Sequence, residues 1–275
     1  MSTQNTTIIK PRKTFSLRDI TELWGHRELL YFFSWRDLKV RYKQTFIGVL
    51  WAIFQPLITM FVFTIFFGSL AKVPSDNVPY PIFVYVGLLF WQFFSSALGD
   101  VSNTLQSNKS IITKVYFPRL ILPISSVITD MVDFFIASLI LVLLMFYYGY
   151  VPNLIGLLIL PLLLVITFIA ALGLGLFLAA MNVKYRDVQY ILPFFIQILL
   201  FLTPVIYPAS IAGKWSKLLA INPMTGVIQN ARAAILGTAP INWALIAISF
   251  LTCVVMLAIG TYIFKKVERY SADII

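Results

Sequence analysis

Two carboxylates, Asp130 and Asp133, lie three residues apart within an otherwise apolar stretch of the sequence. At that spacing both side chains share one face of a helix, and carboxylates in a membrane-spanning helix face the bundle interior or water. Three interpretations follow: a cation site or proton relay, an ion-paired cluster, or the paired carboxylates of a glycosidase. We favour an ion-paired cluster near the cytoplasmic end, with Lys114, Arg119 or a partner subunit. The glycosidase interpretation is disfavoured because nothing else predicts a catalytic cleft.

The other reactive side chains argue against an enzyme. His26 is the only histidine and Cys253 the only cysteine, so an intrachain disulfide, a Cys/His metal cluster and a histidine-based triad are not expected. No Walker A pattern occurs, so the sequence predicts no ATP site on this chain. We expect a protein without a catalytic site, metal or cofactor of its own.

The composition requires lipid as a solvent. Of 275 residues, 60% are hydrophobic and only 12% charged, and the mean hydropathy is +0.88, whereas about a quarter of the residues in soluble domains are charged. A spanning helix needs about 20 mostly apolar residues, which predicts an all-α integral membrane protein with about six spans. Their expected ranges are residues 47–70, 82–98, 120–148, 154–181, 191–207 and 241–264.

The basic residues predict the orientation of the chain. If the N-terminus faces the cytoplasm, 17 of the 21 Lys and Arg residues lie in the cytoplasmic segments 1–46, 99–119, 182–190 and 265–275. This bias follows the positive-inside rule, so we expect a multi-pass protein of the cytoplasmic (inner) membrane with both termini in the cytoplasm. The net charge of +10 forms no aromatic-interleaved patch, which predicts contact with membrane lipid rather than nucleic acid.

The segment before the first span predicts an amphipathic helix. One face of a helical wheel over residues 17–43 gathers Trp24, Tyr31, Trp35, Leu38 and Tyr42. Such a face suits a helix that lies in the membrane interface. Four basic side chains cluster just before the first span: Arg36, Lys39, Arg41 and Lys43. They are either interfacial anchors or groups that attract an anionic substrate headgroup or a partner protein.

The segment 103–118, between two predicted spans, is too polar to cross a membrane. It contains a short amphipathic pattern that predicts a helix. This helix suits docking into a groove on a partner protein, and the alternative is a loop that lies on the membrane. The candidate docking residues are Lys109, Ile111, Ile112, Lys114 and Tyr116.

Segment 208–240, between the last two predicted spans, is long for a simple connection. Asn222 and Pro223 form an N-cap followed by proline at the first helical position, and Gly237 suits a C-terminal cap, so a helix is predicted over 223–236 after a shorter one. Two such helices form a re-entrant hairpin that lines or closes a pathway at its outer end. The candidate gate residues are Asn222, Pro223, Met224, Thr225 and Arg232.

Aromatic residues make up 16% of the chain. Inside a span, such rings pack against protein, face lipid, or form a stacking surface for sugars along a channel. The candidates for a channel wall are Tyr85, Phe90, Trp91 and Phe94.

Four strings carry a resemblance to a known family. They are RELLYFFSWRDLKVRYKQTFIGVLWAIFQP at residues 27–56, KVYFPRLILP at 114–123, NVKYRD at 182–187 and NPMT at 222–225. In this order, and over nearly the whole chain, they resemble the type-2 ABC exporter permeases that move polysaccharides.

The resemblance implies a homodimer with about twelve spans around one channel, and a separate nucleotide-binding subunit that holds ATP and Mg²⁺. It implies export of a glycan linked to a polyprenyl pyrophosphate, such as O-antigen, capsule or teichoic acid, with O-antigen as our leading expectation. The implied parts are an interface helix within 1–46, a six-span domain over 47–264, a coupling helix in 103–118, an outer gate in 208–240 and a cytoplasmic tail over 265–275.

Three other functions stay open at this point. They are an ABC exporter of drugs, peptides or small lipids, a secondary transporter driven by protons through Asp130 and Asp133, and a membrane enzyme that acts on lipid-linked sugars. No internal repeat supports the second, and the small number of titratable groups within the spans disfavours the third.

Overall fold

The computed structural model of the chain describes residues 22–43, 48–152, 154–185, 187–237 and 239–274. Its helices, in chain order, are α1 Arg27–Lys43, α2 Leu50–Phe63, α3 Tyr80–Ser107, α4 Lys109–Ile112, α5 Ile121–Tyr148, α6 Leu154–Lys184, α7 Val188–Leu202, α8 Ser216–Leu219, α9 Pro223–Leu236 and α10 Trp243–Ile274. A π-helix, Thr64–Leu70, extends α2, and a 3-10 helix, Ala209–Trp215, precedes α8. The starts of the predicted N-terminal helix and first span lie outside the described residues.

Five stretches of the described chain are long and apolar enough to cross a membrane, which confirms the predicted all-α membrane class. They are Leu50–Leu70, Tyr80–Ser107, Ile121–Tyr148, Ile155–Lys184 and Trp243–Glu268. The remaining predicted span, 191–207, overlaps α7, whose 15 residues extend about 22 Å, less than the ~30 Å hydrocarbon layer. The helix ends early because Thr203 precedes Pro204, and a residue before proline is pushed out of the helical conformation. The count of six spans stays a prediction.

The core is centred on α3. In its apolar window 78% of the residues are buried, against 6% in the window of Leu50–Leu70. α3 packs against α5, α6 and α9. Its contact with α6 is close because a Cβ atom at Gly175 would lie 2.5 Å from Cγ1 of Val101. α3 is therefore the central helix of the described structure.

α1 packs on α5 through the face that carries Phe33. The Phe33 ring lies against that of Phe117, with the ring centroids 5.5 Å apart. Three members of the predicted aromatic stripe, Trp24, Tyr31 and Trp35, are exposed on the other side. Leu38 and Tyr42 are half-buried, so only part of the predicted stripe is accessible to membrane lipid.

Candidate functional site

An ion cluster joins α1 to the spans. Arg41 donates through Nη1 to Asp130 Oδ1 at 2.8 Å and to Asp133 Oδ2 at 2.5 Å. Its Nη2 donates to Asp100 Oδ2 at 2.6 Å, and the phenol of Tyr42 donates to Asp133 Oδ1. One guanidinium thus ties α1 to both α3 and α5. We call Arg41, Tyr42 and these three carboxylates the acid cluster.

The acid cluster keeps its two donors protonated. Burial alone would lower the pKa of Arg41, but the attraction of Asp130, Asp133 and Asp100 outweighs it and raises that pKa above its ordinary value. Burial, together with the hydrogen bond to Asp133, raises the pKa of Tyr42. Arg41 therefore stays charged, and Tyr42 stays a phenol, at physiological pH.

The sequence correctly predicted that Asp130 and Asp133 form ion pairs, but the basic residues predicted as their partners within the chain were the wrong ones. They form an ion-paired cluster, but their partner is Arg41 rather than Lys114 or Arg119. Arg119 instead donates to the backbone carbonyl of Glu268 at 2.9 Å. The three participating segments are far apart in sequence, and no local spacing indicates that they meet.

The structure separates the four basic residues that were candidates for a headgroup site. The headgroup prediction is wrong for Arg41, because three carboxylates already surround its guanidinium. Arg36 is engaged as well, since its Nη2 donates to Asn108 Oδ1 at 2.9 Å, a contact that ties α1 to the start of α4. Lys39 and Lys43 are exposed. The headgroup prediction therefore narrows to these two lysines.

The predicted docking helix is shorter than expected. α4 ends at Ile112, so the residues after Thr113 are not helical. Ile111 and Ile112 are half-buried against the apolar cluster around Phe33, so only part of each side chain is open to a partner. The exposed members of the predicted set are Lys109, Lys114 and Tyr116. A partner that docks here would meet two cations and one aromatic ring.

α9 has the bounds that its capping residues predict. Asn222 Oδ1 accepts from the backbone N–H of Met224 at 3.0 Å, and Pro223 occupies the first helical position. Gly237 ends the helix with φ of 66°, a conformation that favours glycine. Met224 and Thr225 are buried, because α9 packs among α3, α6 and α10.

Arg232 of α9 is buried and holds the backbone just beyond the end of α7. Its Nε donates to the carbonyl of Phe83 at 3.1 Å. Its two Nη atoms donate to the carbonyls of Pro204 at 2.8 Å and Val205 at 2.5 Å. Gly87 leaves room for this side chain, since a Cβ atom there would lie 2.7 Å from Arg232 Nη2. We call Arg232 and these three carbonyls the arginine cradle.

The four rings that were candidates for a channel wall lie in the core of the protomer. Tyr85, Phe90, Trp91 and Phe94 are all buried. Tyr85 donates to the carbonyl of Ala137 at 2.9 Å. The channel-wall prediction for these rings is corrected: they face inward because α3 is the central helix, surrounded by other helices.

A family model described as ABC-2 type transporter matches residues 28–236, more than half of the chain. The chain belongs to the ABC-2 type transporter family. The matched range runs from α1 to the end of α9 and so contains both the acid cluster and the arginine cradle of this ABC-2 chain.

Curated relatives of the ABC-2 chain share most of its length. The O-antigen export system permease protein RfbA of Myxococcus xanthus is 33% identical over 221 residues, which cover 79% of this chain and 84% of that protein. RfbA of Klebsiella pneumoniae is 29% identical over 250 residues, which cover 90% and 95%. The polysialic acid transport protein KpsM of Escherichia coli is 24% identical over 207 residues, which cover 73% and 78%.

A polar bridge in the ABC-2 chain was not among the predicted site residues. Asn182, in α6, donates to the carbonyl of Ser102 at 3.1 Å and to Asn103 Oδ1 at 3.0 Å. Gln106 donates in turn to the carbonyl of Asn182 at 3.0 Å. The bridge fixes α6 to the last turns of α3, just before α4. The available signal was that Asn182 opens the string NVKYRD, one of those that carry the family resemblance.

Proposed function

We propose that this chain is the transmembrane permease subunit of an ATP-driven exporter that moves a lipid-linked polysaccharide, with O-antigen as the leading candidate, across the cytoplasmic membrane. The observation that carries the proposal is similarity to an O-antigen export permease over 90% of this chain and 95% of the relative. The similarity to a polysialic acid transport protein supports a polymer as cargo.

The proposed assembly is a homodimer in which each protomer binds a separate nucleotide-binding subunit. The lack of a Walker A pattern in the sequence supports a separate source of ATP hydrolysis. Large apolar side chains of α2, including Trp51, Phe54 and Phe61, are exposed and need lipid or a second copy to cover them. The distribution of Lys and Arg supports an inner-membrane protein with both termini in the cytoplasm.

In the proposed mechanism, ATP binding moves the partner subunits and they displace α4. The contact between Arg36 and Asn108 and the acid cluster pass this movement to α1. The C-terminal end of α3 leads into α4, and its N-terminal end contacts Arg232 in the arginine cradle. α3 therefore connects α4 to the cradle through the core. Lys39 and Lys43 attract the pyrophosphate of the lipid carrier to the cytoplasmic entrance.

The first experiment is purification of the tagged chain from its native membrane in mild detergent, followed by mass spectrometry of what comes with it. We expect a P-loop ATPase in a one-to-one ratio with this chain. A chain that stays alone after gentle crosslinking would contradict the ABC exporter and return attention to a proton-driven transporter.

The cargo is tested separately by deleting the chain and measuring glycan at the cell surface and on the lipid carrier. We expect loss of surface polysaccharide and accumulation of the polyprenyl-linked glycan inside the cell. Replacing both Lys39 and Lys43 with Glu should lower the amount of surface polysaccharide at least tenfold. The same replacement at the exposed control residues Lys72 and Lys214 should leave that amount unchanged. Normal surface glycan in the deletion strain would contradict the proposed cargo.

A further inference from the structure

Asp130 has one carboxylate oxygen that the protein leaves without a hydrogen-bond donor. Its side chain is only 1% exposed. Oδ1 accepts from Arg41 Nη1 at 2.8 Å, but none of the described protein groups donates to Oδ2, which is buried. An ionised oxygen in this setting is costly, because burial removes water and nothing replaces its hydrogen bonds.

A small cavity, with apolar and polar side chains in its wall, adjoins this carboxyl group. It measures about 50 Å³, and both Asp130 and Asp133 line it. Its uncharged polar wall consists of Gln55 from α2 and Gln92 and Ser96 from α3. The volume is enough for about three water molecules. The cavity therefore has groups that can accept a hydrogen bond from an acid.

The charges around Asp130 do not balance. Within the described chain, the charged or titratable groups that act on it are Arg41 from α1, Asp100 from α3 and Asp133 from its own helix. Tyr42 is close as well, but its phenol already donates to Asp133. The residues of α2 that line the cavity, Ala52, Gln55 and Pro56, carry no charge. Three carboxylates thus face one guanidinium. Uptake of one proton lowers the excess of negative charge within the span.

We propose that Asp130 is a proton-binding site. A proton from water adds to Oδ2, so that the neutral carboxyl group accepts from Arg41 through Oδ1 and donates through Oδ2–H into the cavity. A proton suits the site better than a metal cation, because the guanidinium of Arg41 already occupies the side where Asp130 and Asp133 converge. The inference concerns the chain itself and does not depend on which cargo is exported.

The site links proton binding to the position of α1. When Arg41 lies in the cluster, it partly neutralises the three carboxylates and limits their demand for protons. If α1 moves away, the carboxylates lose that charge and bind more protons. Separation of α1 from α5 is therefore accompanied by proton uptake and becomes easier as the pH falls.

The test is infrared spectroscopy of the purified full chain in lipid nanodiscs, with D₂O exchange to identify the carbonyl stretch of a protonated carboxyl group. We expect one such band at neutral pH in the wild type, its loss in Asp130→Asn, and its retention in the matched loop variant Asp76→Asn. A wild-type spectrum without the band would overturn the proposal, and so would a band that survives in Asp130→Asn.

A second set of variants keeps the proposal testable if Asp130→Asn does not fold. Gln55→Leu, Gln92→Leu and Ser96→Ala each remove a polar group from the cavity wall and leave the charged residues in place. We expect the frequency of the carboxyl band to shift in at least one of them, because the acceptor of the Oδ2–H hydrogen bond changes. An unchanged frequency in all three variants would overturn the proposed position of the proton.

Discussion

Arg41 and Arg232 anchor opposite ends of α3, and they do so with different partners. Arg41 reaches three carboxylates, whereas Arg232 donates to backbone carbonyls of Phe83, Pro204 and Val205. Carboxylates change charge with pH, whereas backbone carbonyls do not titrate. The acid cluster is therefore suited to a joint that opens during a transport cycle, and the arginine cradle to one that stays closed.

The largest effect is expected in the arginine cradle. Arg232→Leu leaves three carbonyls without their donor, which should lower the free energy of unfolding by about 4 kcal/mol. Because carbonyls do not titrate, the loss should be the same at pH 5 and pH 7. Thermal unfolding in detergent measures it, with the exposed Lys214→Gln as control. A loss no greater than that of the control would show that the cradle does not hold α7.

Arg41→Gln should have a smaller effect that depends on pH. It leaves three carboxylates facing one another and should cost about 3 kcal/mol at neutral pH. The loss should shrink at acidic pH, where the carboxylates bind protons and no longer repel. Unfolding curves at pH 5 and pH 8 measure the change, with the exposed Arg27→Gln as control. A deficit of equal size at both values would remove the distinction between the two arginines.

Gly87→Ala tests how tightly the cradle is packed. The added methyl group would lie 2.7 Å from Arg232 Nη2 and 3.0 Å from the carbonyl oxygen of Val205, so we expect a loss of about 2 kcal/mol from overpacking. In the double variant with Arg232→Leu the first clash is gone. The loss of unfolding free energy in the double variant should therefore be smaller than the sum of the losses in the two single variants. A double-mutant cycle in unfolding free energy measures this, and strict additivity would argue against the contact.

The parts of the fold that follow from local chemistry were predictable from the sequence. The bounds of α9 follow from Asn222, Pro223 and Gly237, three residues whose roles depend only on their neighbours along the chain. Five spans follow from hydropathy. The early end of α7 was also within reach, because Thr203 precedes a proline.

The parts that depend on contacts between distant segments were not predictable. The sequence is equally consistent with Tyr85 and Phe90 in a channel wall and in the protein core. Only the central position of α3 shows that they lie in the core. The partner of Asp130 lies on α1, and any of several basic residues fits the charge. Periodicity shows which face a residue occupies, but it does not show which helix will cover that face.

Tyr42→Phe should have the smallest effect and tests the second donor of the acid cluster. It removes the hydrogen bond to Asp133 and should cost about 1 kcal/mol. Since folding raises the pKa of Tyr42, the bond contributes fully below the ordinary tyrosine pKa of about 10 and fades as the pH rises through the higher folded value. The deficit, measured by unfolding against the exposed control Tyr31→Phe, should thus stay constant between pH 6 and pH 8. A deficit that changes over that range would mean that the proton of this hydrogen bond belongs to Asp133, and the acid cluster would then hold its proton in a different place.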